Sequence, residues 1–397
     1  MSAPYRRTRG DLIASAVIAV VSLVLVAAAF LTAPIRASQL SPAEKQYESA
    51  ARLSTPPTTL QESFRLPDTS PGVSPVIAEG MIISYADGTL RATTPQGETA
   101  WTYQRDLELC TLDQAWGKVI ATYRGNAGCG DVVALDALAG TYSATRSSVA
   151  PDEVASLSSN DRVGYVSSER VELWRSDLVR TVEYGRVEAP QESGKQPHAC
   201  GITSALTRKE LLAVTERCDD GTWLRLQTTT PEDSRKPEIE ANVSIAESAY
   251  LIAVSPEVAA VYDPGSREVR AYNTGGEEVS ASPAPDFGPA PDSATHEAAD
   301  LPHHMTYFAP NTLGLFEPDS LRFSGEFEGA LGPGVAAGDR LLFATDQGVA
   351  VANWDTREVE RVISIDRGGY TGTVGVAGAG GVVVEKRGGE LVVFSAN

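Results

Sequence analysis

Between Val76 and Tyr103 the chain lays down short apolar stretches separated by turn residues, and the pattern then recurs toward the C-terminus. Val76-Ile77 is followed by Met81 to Tyr85, the Ala86-Asp87-Gly88 turn, Thr89 to Ala92, a Pro95-Gln96-Gly97 turn, and Thr99 to Tyr103. Stretches of this length, rich in β-branched and aromatic residues and bounded by Gly, Pro or Asp, read as the strands of one small antiparallel sheet. Such a sheet has two faces to bury and cannot bury them alone. The economical solution is a set of similar sheets packed face to face around an axis.

The later units follow in order. The second covers Cys110 to Arg146, the third Val154 to Val187, the fourth contains Leu211 to Thr215 and Trp223 to Leu226, and the fifth spans Val243 to Glu278. Ser280 to Pro302 interrupts the series with five prolines, Pro283, Pro285, Pro289, Pro291 and Pro302, and reads as a long exposed loop. A weaker unit at Met305 to Glu328 precedes two clearer ones, Arg340 to Ile365 and Val374 to Phe394. Equivalent strands recur about every forty residues, the spacing of propeller blades. The count is eight blades, or seven if the Met305 unit belongs to the insertion. The last unit has three strands, whereas Leu60 to Leu66 alternates apolar and polar residues ahead of the first complete unit. In a closed ring the early strand completes the last blade and removes the open edges. The expected fold is therefore an all-β propeller, its body at residues 59–397 with the Pro-rich segment at 280–304.

Two units carry a recognisable signature. Asp87-Gly88-Thr89-Leu90 followed by Gly97 and Trp101, and Asp131 to Asp136 (Asp-Val-Val-Ala-Leu-Asp) with Ala139-Gly140, resemble the blade motif of pyrroloquinoline-quinone (PQQ)-like propellers. The arrangement of an N-terminal apolar segment, a propeller and two cysteine pairs within units is similar to membrane-anchored envelope proteins of actinobacteria. That resemblance brings no catalytic residues with it. In quinoprotein dehydrogenases the ring holds quinone and Ca²⁺ with an adjacent-cysteine disulfide, a Trp under the quinone and a Glu, Asn and Asp set. Here no two cysteines adjoin, and no cofactor residue is carried over.

No charged residue interrupts Leu12 to Pro34, where Val, Ala, Leu and Ile dominate. A run of this length spans the hydrocarbon of a bilayer as a helix. It exceeds the 7–15 apolar residues typical of a cleaved signal core. Arg6, Arg7 and Arg9 on the short flank keep residues 1–11 in the cytoplasm and send the chain beyond Arg36 outside. Residues 35–58, rich in Ser, Thr and Pro with a helical tendency near Pro42 to Leu53, read as a juxtamembrane spacer. The net charge is -19; residues 1–11 hold three Arg and one Asp, so the rest carries 30 basic and 51 acidic residues, or -21. An acidic body argues against nucleic acid as a partner.

All four cysteines, Cys110, Cys129, Cys200 and Cys218, follow the apolar run. Two segments superpose: Cys110 and Cys200 each precede a strand (Lys118 to Tyr123, Glu210 to Thr215), and Cys129 and Cys218 each follow it at a turn. The expected pairs are Cys110–Cys129 and Cys200–Cys218, each closing a loop inside one unit and contributing about 3 kcal/mol in the chain-entropy account. No CxxC motif or nearby His favours a metal instead.

Signals for catalysis are sparse. The tryptophans Trp101, Trp116, Trp174, Trp223 and Trp354 sit where blade interiors need large side chains. His198, His296, His303 and His304 fall in polar segments, the last two beside a Pro-rich loop. The glycines at Gly378 to Gly381 and Gly388-Gly389 lack the Lys-Ser/Thr and helix of a phosphate loop and read as tight turns. Asp219-Asp220-Gly221 lacks the spaced ligands of an EF-hand, and no G-x-S-x-G elbow is present. The sequence thus assigns no catalytic, cofactor or metal residue. It points to a non-enzymatic binding or scaffolding module for an envelope protein partner, anchored in the cell membrane, with an enzyme built at the axial mouth (PQQ-type oxidoreductase or hydrolase) as the alternative.

Overall fold

The computed structural model describes residues 8–50, 53–159, 161–187, 194–196, 200–291, 298–300 and 305–396. In several inner and middle strands burial does not alternate. Every residue of Val163–Val166, Arg170–Trp174, Tyr250–Val254 and Val382–Arg387 is buried. A strand covered on both faces belongs to a sheet sandwiched between two others. By contrast Tyr142–Ser147 and Glu358–Ser364 are largely exposed. The sheets are radial, with outer strands at the rim.

Eight sheets make the ring. Blade 1 is built from residues 76–104, blade 2 from 109–147, blade 3 from 155–185, blade 4 from 201–245, blade 5 from 250–283, blade 6 from 298–330, blade 7 from 335–364, and blade 8 from 374–396 with 60–67. Within each, consecutive strands pair antiparallel from the axis outward. The Met305 unit is a full blade, which settles the count at eight. Ring closure follows the expectation: Leu60–Pro67 pairs antiparallel with Glu390–Ala396, from Leu60↔Ala396 to Pro67↔Glu390.

The blade signature has a direct physical reading. Trp101, 1% exposed, lies on the outer strand of blade 1 and donates from Nε1 to the Ala137 carbonyl of blade 2 at 2.8 Å. A Cβ at Gly140, where φ is +66°, would overlap the Trp101 ring, so glycine is required on both counts. Asp136 Oδ1 accepts from the backbone N–H of Leu138 and Ala139 and shapes that turn. At the same place in blades 5 and 7, Asn273 accepts from Glu277 N–H, and Asn353 from Asp355 and Thr356 N–H.

Several expectations change. The fifth blade begins at Tyr250, because Ile239–Ile245 is the outer strand of blade 4, paired with Gly221–Thr228. The expected loop from Ser280 starts only after Pro283, since Glu278–Pro283 is the outer strand of blade 5 and an edge strand tolerates proline at its end. Ala298–Asp300 pairs with Met305–Ala309 as the inner strand of blade 6. Pro42 to Ala50 is not helical.

The apolar N-terminal run is a helix, Arg9–Thr32, with an 18-residue stretch of mean hydropathy 2.8 and with no buried residue. Thr8 caps it: its N–H donates to Asp11 Oδ2 at 2.8 Å while its Oγ1 accepts from Asp11 N–H. Its length and composition suit a membrane span or a signal sequence alike.

Replacing Trp101 by Ala is expected to cost about 3–5 kcal/mol in thermal or denaturant unfolding. Trp101→Phe keeps most of the packing, loses the bond to Ala137 and should cost about 1 kcal/mol. Equal losses in the two variants would show that the hydrogen bond, not ring burial, docks blade 1 on blade 2.

Candidate functional site

Antiparallel blades alternate their turns between the two sides of the ring. The crossover side carries the turns between second and third strands and the links to the next blade; the opposite side carries the other two turns. Both disulfides, Cys110–Cys129 and Cys200–Cys218, lie on the crossover side: the first ties the start of blade 2's inner strand to the start of its third strand, the second ties the residue before blade 4's inner strand to the end of its second strand.

The spacer segment is a fitted part of the ring. Gln39–Ser41 adds a fifth strand to blade 1, with Gln39↔Gln104 and Ser41↔Thr102, so the chain arrives at the crossover side and runs toward the opposite one. There it follows the rim. Ala43 N–H donates to the Ala139 carbonyl of blade 2, and Lys45 pairs with Glu98 of blade 1 at 2.8 Å. Ala50 N–H donates to Glu79 of blade 1, Leu53 accepts from Gly338 N–H of blade 7, and Arg361 donates to the Pro57 carbonyl at 2.8 Å. Glycine makes this close approach possible: Cβ atoms at Gly80, Gly338 and Gly378 would overlap Ala50, Ser54 and Leu53. Residues 42–50 and 53–58 thus strap blades 2, 1, 8 and 7 on the side away from the point of entry. At the entry itself a shallow, open groove of about 560 Å³ is lined by Ala37, Gln39, Tyr85, Asp87, Arg105 and Glu108 among others.

Charge also runs through the interior. Between blades 2 and 3 a register row of Ser156, Tyr165, Glu172 and Glu183 confronts a row of Thr111, Thr122, Val132 and Arg146. Glu172, fully buried, meets Arg146 at 2.6 Å, Arg170 at 2.7 Å and the Trp174 indole N–H at 2.7 Å. Glu183 holds Arg170 and Arg180 at 2.6 and 2.7 Å. In blade 4 Glu216 accepts from Arg225 Nε and, across the blade boundary, from the Tyr184 hydroxyl, both at 2.6 Å. Removing one partner of such a pair strands the other charge. Burial pushes the Tyr165 and Tyr184 phenols well above their ordinary range, with the neighbouring glutamates adding to it.

At the axial end of the layer between blades 2 and 3 sits Asp113, 7% exposed, on the inner strand of blade 2. Its Oδ1 accepts from the Ser156 hydroxyl of blade 3, whereas Oδ2 and the nearby Thr111, Thr122 and Tyr165 oxygens have no protein partner. Burial pushes its carboxyl up to about 6, against the lowering effect of Ser156 and Ser158.

Of the residues singled out in the sequence, Trp101, Trp174 and Trp354 are buried in the cores, while Trp116 and Trp223 are half-buried. The Trp223 indole donates to Asp220 Oδ1 at 3.0 Å, and Arg225 lies over its ring. Gly380 and Gly388 adopt positive φ in blade 8 turns, but Gly378 is within the strand Val374–Ala379. His198, His296, His303 and His304 lie outside the described residues. The buried ion pairs had a signal that was not used: Arg170-Val171-Glu172-Leu173-Trp174 places Arg170, Glu172 and Trp174 on one strand face.

No family model and no curated protein matches the chain. Solved structures do. BamB from Moraxella catarrhalis superposes with a TM-score of 0.51 at 13% identity, covering 85% of this chain and 100% of that one. The dihydro-heme d1 dehydrogenase NirN in complex with DHE gives a TM-score of 0.53 at 13% identity, with 86% and 79% covered. The chain is an eight-bladed β-propeller. At such identity the likeness concerns the fold, and the fold hosts more than one activity.

Asp113 gives a pH signature. Because its folded value lies above the ordinary 3.8, ionisation opposes folding: the full cost, about 3 kcal/mol, applies above pH 6 and is relieved as pH falls from 6 toward 4. Asp113→Asn is therefore expected to raise the melting temperature at pH 7.5 and to flatten the pH dependence between 4 and 7. A variant less stable at pH 7.5 with the slope retained would refute this assignment.

Proposed function

We propose that this chain is a single-pass membrane protein whose extracytoplasmic propeller serves as a binding or scaffolding module in the cell envelope. The observation that carries the reading is the way the ring is mounted. Only residues 33–38 separate the helix from Gln39, the first residue paired to blade 1, so the crossover rim of that blade stands within about 20 Å of the helix end. The strap then pins the chain along the opposite rim. A ring held this close presents its surface at a fixed height, as a module that docks a neighbour requires. Arginines on the short flank support a cytoplasmic N-terminus, and the disulfides suit an oxidising compartment.

The second reading, an enzyme with its site at the axial mouth, draws on the likeness in fold to the dihydro-heme d1 dehydrogenase NirN. The use of buried charge supports the binding reading instead. Glu172, Glu183, Glu216, Glu385 and Asp68 are each taken up by arginine or lysine within the blades.

Crosslinking in intact cells, followed by purification through a C-terminal tag and mass spectrometry, tests the proposal. The expected result is one reproducible envelope protein joined to loops of the ring. Recovery of a bound small molecule or glycan with no protein partner would overturn it in favour of an axial ligand site.

A further inference from the structure

The two disulfides differ in what surrounds them. Around Cys110–Cys129 the near polar neighbour is a carbonyl, that of Asp152, 3.0 Å from Cys129 Sγ. Beside Cys200–Cys218 stands a buried carboxylate: Glu216 Oε1 is 3.6 Å from Cys218 Sγ, and the two sulfurs and a Glu216 oxygen all lie within 4.8 Å of one another. Among the described residues this is the one such grouping of Cys, His, Asp and Glu ligand atoms. Both sulfurs are partly exposed, whereas Glu216 is 1% exposed.

We propose that Cys200, Cys218 and Glu216 form a redox-gated site for a thiophilic divalent cation, zinc. Three features of the geometry support it. First, tetrahedral zinc with bonds of about 2.3 Å to sulfur and about 2.0 Å to oxygen holds sulfur and oxygen about 3.5 Å apart. The present 3.6 Å between Cys218 and Glu216 already matches. The two sulfurs, now bonded, must part to about 3.8 Å, with Cys200 Sγ also about 3.5 Å from the carboxylate oxygen, inside the 4.8 Å within which all three atoms lie. Second, the carboxylate is oriented as metal-ligating carboxylates are, with Arg225 Nε and the Tyr184 hydroxyl each donating to it at 2.6 Å. Third, the charges cancel in both states. Disulfide, Glu216 carboxylate and Arg225 guanidinium sum to zero. Two thiolates, one carboxylate, one divalent cation and Arg225, whose Nη2 lies 3.8 Å from Cys218 Sγ, also sum to zero. A buried group of this kind exchanges one neutral arrangement for another and avoids the cost of an uncompensated charge.

The chemistry balances. A dithiol delivers two electrons and two protons, the Cys200–Cys218 bond breaks, two thiols form, and the dithiol becomes a disulfide. Metal binding then releases both thiol protons to solvent as the two thiolates and Glu216 become ligands. With three protein ligands the fourth position is left to water. Thiolate ligands select zinc over the harder magnesium and calcium.

The test uses the full chain in detergent, reduced with a phosphine and titrated with Co²⁺ as a spectroscopic stand-in for zinc. The expected result is one Co²⁺ per chain with thiolate-to-cobalt charge-transfer absorption, displaced by Zn²⁺ and absent from the oxidised protein. Cys110→Ser with Cys129→Ser should keep the band; Cys200→Ser with Cys218→Ser should lose it. Glu216→Gln should weaken binding roughly 10–100-fold. Should that variant not fold, because Arg225 is left unpaired, the cysteine variants still decide the matter. A reduced wild-type chain without the band, or a band that survives loss of Cys200 and Cys218, would overturn the proposal.

Discussion

Everything in this molecule depends on one strand pairing. Leu60–Pro67 lies outermost in blade 8, added to Glu390–Ala396 from the far end of the chain, and without it the ring has an open edge. The residues just beyond it lock the seam. Asp68 N–H donates to the Gly389 carbonyl of blade 8, while Asp68 Oδ1 accepts from Tyr85 N–H of blade 1 at 2.9 Å. Its Oδ2 meets Lys386 of blade 8 at 3.0 Å, and Lys386 also donates to Ser70. One buried carboxylate therefore joins the last blade to the first. Glu385, beside Lys386, draws in Arg367 and Arg387 on the other face of the same strand.

The seam links the fold to the proposed role. The strand that closes the ring is reached through the strap, and the strap through the fifth strand of blade 1: residues 39–41 pair with blade 1, residues 43–50 meet blades 2 and 1, residues 53–57 meet blades 8 and 7, and residues 60–67 complete blade 8. A pull on the helix end is met first by the Gln39–Ser41 pairing, then by the strap, and only afterwards by the closing strand. The anchor and the closure are parts of one mechanical path. A partner held on such a ring is held at a set distance from the helix.

Much of the fold was readable because its cause is local. Turn residues at short intervals, a spare early strand and a three-stranded last unit together imply a closed ring of eight or seven blades, and the cysteine pairs follow from superposing two units. The misplaced boundaries have a local cause too. Blade 4 ends in Ile-Glu-Ala-Asn-Val-Ser-Ile, whose apolar content reads as the start of a new unit rather than as an edge strand. Glu278–Pro283 ends in the first proline of a Pro-rich stretch and so read as loop. In blades 5 and 7 asparagine replaces the Asp of the turn signature; Asn353 makes the same backbone bonds and Asn273 accepts instead from Glu277 N–H, which sequence matching to an Asp does not detect.

Less of the candidate site was legible. Charged residues in a strand ordinarily mark a solvent face, yet a propeller blade has no solvent face near its middle strands, so Arg170, Glu172, Glu385, Lys386 and Arg387 are buried and must pair, along their own strand (Arg170 with Glu172, Arg387 with Glu385) or with residues from elsewhere in the ring. Those partners are remote in sequence: Arg146 for Glu172, Asp68 for Lys386. The polar spacer read as free chain because its contacts are backbone bonds and glycine clearances, which leave little compositional trace. Native-state hydrogen exchange across the seam tests the central claim most directly. If the early strand is integral to the ring, the amides among residues 60–66 that bond to Glu390–Ala396 exchange as slowly as those of Val382–Arg387, through the same global opening. Rapid exchange of those amides while the other strands of blade 8 stay protected would contradict it.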